Sequence, residues 1–189
     1  MDDARAAWRL KFARQAAPWS GPVHAAPLLA ELRGVVVELG AGGGKVGDAL
    51  PRDALALDWA ALPPGRLGAY ADVRALPLRA ASVDALVAIH VLGHLDDPRA
   101  ALAEWARVLK PGGALVLEVF ATGDARDVPG HLARREGIAT RFFDEAGLYA
   151  HLDAAGFEGA LALEERAMRW GLRRALRGRL TRGRTTAEA

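Results

Sequence analysis

Apolar and polar positions along this chain change period from block to block, and the changes mark its elements. Residues 2–17 set Trp8, Leu10 and Phe12 among charges at loosely helical spacing, and Pro18-Trp19-Ser20-Gly21-Pro22 then breaks the pattern; this predicts a short helix and a loop. Residues 27–33 predict another helix. Val35-Val36-Val37-Glu38-Leu39 reads as a buried strand running into glycines, with a helix expected over 43–50. Strands are predicted at 54–58, 68–72, 83–89 and 114–120, and a helix at 98–109 whose apolar face carries Ala101, Leu102, Trp105, Val108 and Leu109. Strands alternating with helices mean a parallel sheet. Lys110-Pro111-Gly112-Gly113 ends that helix, because proline cannot continue it and glycine permits the turn.

Residues 121–140 are polar with weak periodicity and are expected to form a mobile insertion near the substrate mouth. A helix follows over 141–155, then a last strand pair at 160–164 and 168–176. The expected organisation is one domain over 1–189: an N-terminal helical cap (1–33), a core (34–176) and a basic tail (177–189).

Composition narrows the chemistry. With 189 residues, 51% of them hydrophobic, the chain suits one domain with a sizeable core. The absence of cysteine removes disulfides, thiolate metal sites and a Cys nucleophile. The charged start has no signal-peptide pattern and no apolar run approaches the length of a membrane span, so a soluble cytoplasmic protein is expected. Arg dominates the basic residues, with Lys only at positions 11, 45 and 110, and Asn is absent; this is the composition of a high-GC or thermophilic source. The net charge is +2, yet Arg166, Arg169, Arg173, Arg174, Arg177, Arg179, Arg182 and Arg184 form a series without an acid between them.

The glycine-rich segment Glu38-Leu39-Gly40-Ala41-Gly42-Gly43-Gly44-Lys45 lets backbone approach a ligand closely. A phosphate-binding P-loop fails, since Leu39 and Val46 stand where glycine and Ser/Thr are required. A dinucleotide fingerprint is disfavoured by Lys45 at its last glycine position. What remains is an acidic-x-Gly-x-Gly-x-Gly pattern on Glu38, Gly40, Gly42 and Gly44, or a glycine-rich turn without a ligand. Asp58 closes the second strand roughly 20 residues beyond the loop, where a carboxylate can accept from ribose hydroxyls.

The downstream residues decide between these. Asp72-Val73, Leu76-Pro77, Val83-Asp84, His90-Val91-Leu92-Gly93-His94-Leu95 and Arg107-Val108-Leu109-Lys110-Pro111-Gly112-Gly113, in that order, resemble the methyltransferase type 11 superfamily of class I S-adenosylmethionine (SAM) dependent methyltransferases. With Arg141-Phe142-Phe143 and Gly156-Phe157, the resemblance covers residues 34–165. It implies a Rossmann-like α/β fold with a seven-stranded, mostly parallel sheet flanked by helices and a final antiparallel strand. It also implies an enzyme that uses SAM as cofactor. The glycine loop (Gly40, Ala41, Gly42, Gly44) would hold the methionine part, with Glu38 accepting from its ammonium or from loop amides. Asp58 would bind ribose, Trp59 would stack on adenine or lie in the core, and Asp72 and the Val73 amide would meet the adenine edge. His90 falls among the cofactor-binding positions as well.

Methyl transfer from a sulfonium needs alignment more than acid–base help. Where the acceptor must lose a proton, His94 and His90 are the candidates, the alternatives being a loop contact for His94 and a packed position for His90. His24, His131 and His151 are expected at the surface, and no residue cluster has convincing metal spacing. The expected acceptor is a small molecule under an apolar lid of Trp8, Phe12 and Trp19. A second reading is RNA: the region from Arg141 to Trp170 loosely resembles wobble-uridine tRNA methyltransferases, and the Arg series can neutralise phosphates. A third is a SAM-binding module that needs a partner protein. No membrane partner is expected.

Overall fold

The computed structural model describes residues 2–13, 23–128, 138 and 140–183. The Phe12 side chain, Trp19, His131, Arg184 and half of the predicted insertion (129–137 and 139) lie outside the described residues. Helix α1 (Asp2–Ala13) and the four-residue α2 (Ala26–Leu29) precede a seven-stranded sheet. Its strands are β1 (Val36–Leu39), β2 (Leu55–Asp58), β3 (Gly68–Tyr70), β4 (Val83–Ile89), β5 (Leu109–Phe120), β6 (Phe157–Met168) and β7 (Gly171–Arg182). Helix α3 (Pro98–Val108) joins β4 to β5, and α4 (Glu145–Ala154) precedes β6. The strand order is β3-β2-β1-β4-β5-β7-β6; β1 to β5 pair in parallel, and β7 runs antiparallel to both neighbours. This is the Rossmann-like arrangement expected. Among the described residues no helix is long and apolar enough to cross a membrane.

Local chemistry explains the better-predicted elements. Helix α3 starts where Asp97 accepts from the Arg99 amide and Pro98 occupies the first turn, where its missing N–H costs nothing. Its buried stripe is Ala101, Leu102, Trp105 and Val108, and the Trp105 indole N–H donates to the Val73 carbonyl at 2.9 Å. Side chains alternate across β5: Leu115, Leu117 and Val119 join α3 and α4 in one core, while Ala114 and Val116 join Leu29, Leu32, Val46 and Leu50 in the other.

Four expectations change. The helix over 43–50 is only a 3₁₀ turn, Gly47–Ala49, because Gly42, Gly43, Gly44 and Gly47 disfavour helix and Pro51 ends the segment. The helix over 27–33 shrinks to α2. Residues 177–182, expected to begin the tail, continue β7, paired with β5 over 177–181 and with β6 throughout. The Lys110–Gly113 turn is absorbed into the start of β5, where the β4 register shifts between Val83 and Ala85.

Candidate functional site

In a parallel sheet, ligands bind beyond the carboxyl ends of the strands where the strand order reverses, here between β1 and β4. Two neighbouring constructions occupy that edge. A cavity of about 470 Å³ lined by Leu29, Leu32, Gly34, Leu50, Pro51 and Asp53 lies at the opposite end, by the start of β1 and β2.

The first construction is the glycine loop after β1. Gly40, Gly42 and Gly44 have φ of 66°, 47° and 83°, the left-handed region that favours glycine. A Cβ on Gly40 would lie 2.4 Å from Val91 Cγ2, and one on Gly44 would lie 2.9 Å from Pro63 Cβ. The loop is clamped to β2: the Gly40 and Ala41 amides donate to the Leu57 carbonyl at 2.7 and 3.1 Å, and the Gly42 amide donates to Asp58 Oδ2 at 3.0 Å. What these glycines offer a ligand is therefore room more than free donors.

The carboxylates around the loop are engaged too. Asp58 Oδ1 accepts from the Ala60 and Ala61 amides at 2.7 and 3.0 Å; with two lone pairs per oxygen, Oδ2 keeps one place for a ribose hydroxyl. Glu38, 3% exposed, accepts from Arg66 through Oε2. Burial pushes its carboxyl above the ordinary value, and Arg66 opposes that. Asp72 takes a two-point fork from Arg74, with Nη2 to Oδ2 at 2.7 Å, which holds its carboxyl below the usual value. Asp72 stays one-third exposed, Trp59 is half-buried and Val73 is buried.

The second construction lies at the ends of β4, β5 and β7. Glu118 shares a face of β5 with Val116 and Phe120, and its ladder partner on β7 is Arg177. Its side chain is 2% exposed and meets His90 Nε2 at 2.7 Å, Arg173 Nη2 at 3.0 Å and Arg177 Nε at 2.6 Å. Burial raises the Glu118 carboxyl, but the His90 hydrogen bond and the nearby charges outweigh that and hold it well below the usual range. His90 has φ of 60°, rare for a residue with a side chain and typical of strained functional positions. Its ring stacks on Phe120, centroids 4.0 Å apart. Burial pushes the imidazole down to about 4, so it is neutral near pH 7.

Those contacts fix the tautomer. Arg173 Nη2 also sits 2.9 Å from His90 Nε2, yet one nitrogen cannot donate to Glu118 and accept from Arg173 together. The carboxylate contact is the shorter and needs a proton, so Nε2 carries it and Nδ1 holds a lone pair. His90 Nδ1 is buried without a hydrogen-bond partner among the described residues. Lys45, from the glycine loop, belongs to this neighbourhood; burial pushes its ammonium down to about 8, with Glu118 opposing and Arg173, Arg126 and Arg177 adding to the shift.

The family model described as a methyltransferase domain matches residues 37–117, which run from β1 through both constructions into β5. This central segment is similar to methyltransferase domains. An O-methyltransferase of Pyrenophora dematioidea is 42% identical over 64 residues, which cover 34% of this chain and 24% of that protein. The chain matches about a quarter or less of the length of its curated relatives. Among solved structures, a SAM-dependent methyltransferase of Methanosarcina mazei superposes with a TM-score of 0.62 at 19% identity, covering 82% of this chain and 95% of that one. Phosphoethanolamine N-methyltransferase 2 of Haemonchus contortus, solved in complex with SAM, gives a TM-score of 0.66 at 11% identity over 97% of this chain and 58% of that one.

The matched segment brings Glu38, Gly40, Ala41, Gly42, Gly44 and Asp58 into one unit, with Trp59 beside Asp58 and Asp72 following β3. His90 joins Glu118. His94 instead meets the Trp8 ring edge-on at 4.7 Å and Thr140 Oγ1 at 3.3 Å, which places α1 over the segment after β4. His24, expected at the surface, is half-buried against Arg166, and its carbonyl accepts from Arg177. Sequence reasoning missed Glu118 and placed Arg173 and Arg177 only in the basic series. The available signal was one acid inside the apolar run 114–120, since a buried carboxylate requires partners.

Proposed function

We propose that this chain is a SAM-dependent methyltransferase acting on a small-molecule acceptor, with His90 Nδ1 receiving the acceptor's proton. The left-handed glycines and their tight fits at Val91 and Pro63 leave a cradle that any side chain would fill, and the lone Oδ2 position on Asp58 suits one ribose hydroxyl. When bound, SAM supplies a sulfonium methyl that passes to the acceptor by direct displacement, leaving a neutral thioether. Glu38, Asp58 and Asp72 serve to orient, and the loop excludes water.

The observation that carries the proton role is the buried Nδ1, without a partner among the described residues, opposite an Nε2 fixed by Glu118. An acceptor hydroxyl or amine gives its proton to this lone pair as its oxygen or nitrogen bonds the methyl carbon, and Glu118 steadies the resulting imidazolium. Trp8 against His94 supports a cap over a small ligand. The Arg series supports RNA less than its sequence suggests: Arg173 and Arg177 bind Glu118, Arg174 binds Glu165 and Arg182 binds the Leu109 carbonyl. These cations are not free for phosphates.

Calorimetric titration with SAM and with its product S-adenosylhomocysteine tests the reading. Micromolar binding by the wild type, weakened at least about tenfold in Asp58→Asn, supports it; a folded wild type that binds neither removes it.

A further inference from the structure

Three acids among the described residues fork onto an arginine two positions ahead: Asp72 onto Arg74, Asp97 onto Arg99 and Asp124 onto Arg126. The first pair is one-third exposed and the second lies in solvent, whereas the Asp124 side chain is fully buried and that of Arg126 is 19% exposed. Both Asp124 oxygens are filled. Oδ1 accepts from the Arg126 amide and Nε at 2.9 and 2.8 Å, and Oδ2 accepts from Arg126 Nη2 and the Arg174 amide at 2.8 and 2.9 Å. With two lone pairs per oxygen, this carboxylate has none left for a ligand. Burying a charged pair is costly and is weakly repaid in stability, so the position of this one calls for another reason.

That reason lies in what Arg126 touches. Its guanidinium carbon is 4.1 Å from the Phe120 ring centre and 4.7 Å from that of Trp170. The His90 ring lies within 15° of parallel to Phe120, with 4.0 Å between centres. Two groups at such distances cannot share one face of Phe120, so His90, Phe120, Arg126 and Trp170 form a single stack. A largely desolvated cation holds an aromatic face more firmly than a solvated one does. The hydrogen bond from Nε2 to Glu118 fixes one point of the imidazole but leaves the ring able to rock about it. The Phe120 face removes that freedom only while Phe120 is itself backed. Rocking swings the Nδ1 lone pair away from the atom it serves, and a small misplacement of a reacting group is expensive in rate.

Resting on the reading of His90 as the proton acceptor, we propose that Arg126 is a positioning residue: clamped by Asp124 and acting through Phe120, it holds the plane of the His90 ring and so aims Nδ1 at the methyl acceptor. Trp170 closes the far side of the stack.

The test follows the His90 ring nitrogens by heteronuclear NMR of the full chain, with their signals assigned by loss in His90→Asn. The charged groups facing this ring are Glu118 from β5, Arg173 from β7 and Lys45 from the glycine loop, and the variants below keep all three. With its midpoint held at about 4, wild-type His90 is expected to stay neutral and protonated on Nε2 alone from about pH 8 down to about pH 5. Arg126→Gln lets the ring rock and water enter, which relieves the burial that lowers the midpoint. Protonation then begins about one pH unit higher, and signals of the Nδ1-protonated form appear. Asp124→Asn loosens the guanidinium and gives the same change at smaller size. Arg99→Gln, which removes the matching fork in solvent, leaves the His90 signals as in wild type. Unchanged His90 signals in a folded Arg126→Gln overturn the proposal, as does an equal change in Arg99→Gln. A wild type that titrates near 6.5 in both tautomers removes the proton-acceptor reading itself, a different failure. Should Arg126→Gln not fold, Trp170→Ala at the exposed end of the stack takes its place: a smaller rise in the same direction is expected, and no rise overturns the proposal.

Discussion

The two constructions at the carboxyl edge of the sheet solve neighbouring problems by different means. On the side of β1, β2 and β3, backbone conformation does the shaping: three left-handed glycines turn the loop, and Glu38 and Asp72 each have one Arg partner. On the side of β4, β5 and β7, side chains shape the site, with one buried carboxylate holding His90, Arg173 and Arg177 together. The first kind of site is robust to the loss of a charge and intolerant of a side chain; the second reverses those sensitivities.

That contrast can be broken most sharply at Glu118. Glu118→Ala leaves Arg173 and Arg177 buried beside one another without their common counter-charge, and we expect a loss of about 3–5 kcal/mol in chemical denaturation. Glu38→Gln, which loosens a single pair, is expected to cost clearly less. Equal costs would erase the distinction.

Gly40→Val comes next. It forces a β-branched residue to a φ of 66° and drives its Cβ toward Val91, so a loss of about 2–3 kcal/mol is expected from backbone strain and overpacking. S-adenosylhomocysteine binding should vanish while the folded circular dichroism signal persists.

A pH series separates the two sides in another way. The fold holds the His90 imidazole at about 4, below its ordinary 6.5. The unfolded chain therefore binds this proton first as pH falls, so the stabilisation is complete above about 6.5 and is lost between 6.5 and about 4. We expect wild type to lose up to about 3 kcal/mol more than His90→Asn across that window. Parallel stability curves would show that His90 is not held neutral. Smallest of all is Arg74→Gln, which removes a one-third-exposed pair with Asp72 and should change stability by less than about 1 kcal/mol.

How much of this was legible in the sequence follows the same division. Strand β4 and helix α3 were readable because apolar period, Asp97 and Pro98 act within a few residues. The glycine loop was readable for the same reason, although its clamping to Leu57 and Asp58 was not. The expected helix over 43–50 followed the usual alternation and ignored three glycines in eight residues. The charged site was hidden because its bonds are long-range: Glu118 meets Arg177 across 59 residues and Arg173 across 55. The second half of strand β7, residues 177–182, looked like a tail because its arginines find partners only once β5 and β6 flank them.

The most direct measurement is a crystal structure of the full chain with S-adenosylhomocysteine. The account predicts the nucleoside between the glycine loop, Asp58 and Asp72, with the sulfur turned toward the space shared by His90 and Arg173. A ligand bound elsewhere, or a sulfur that faces away from His90, would contradict it.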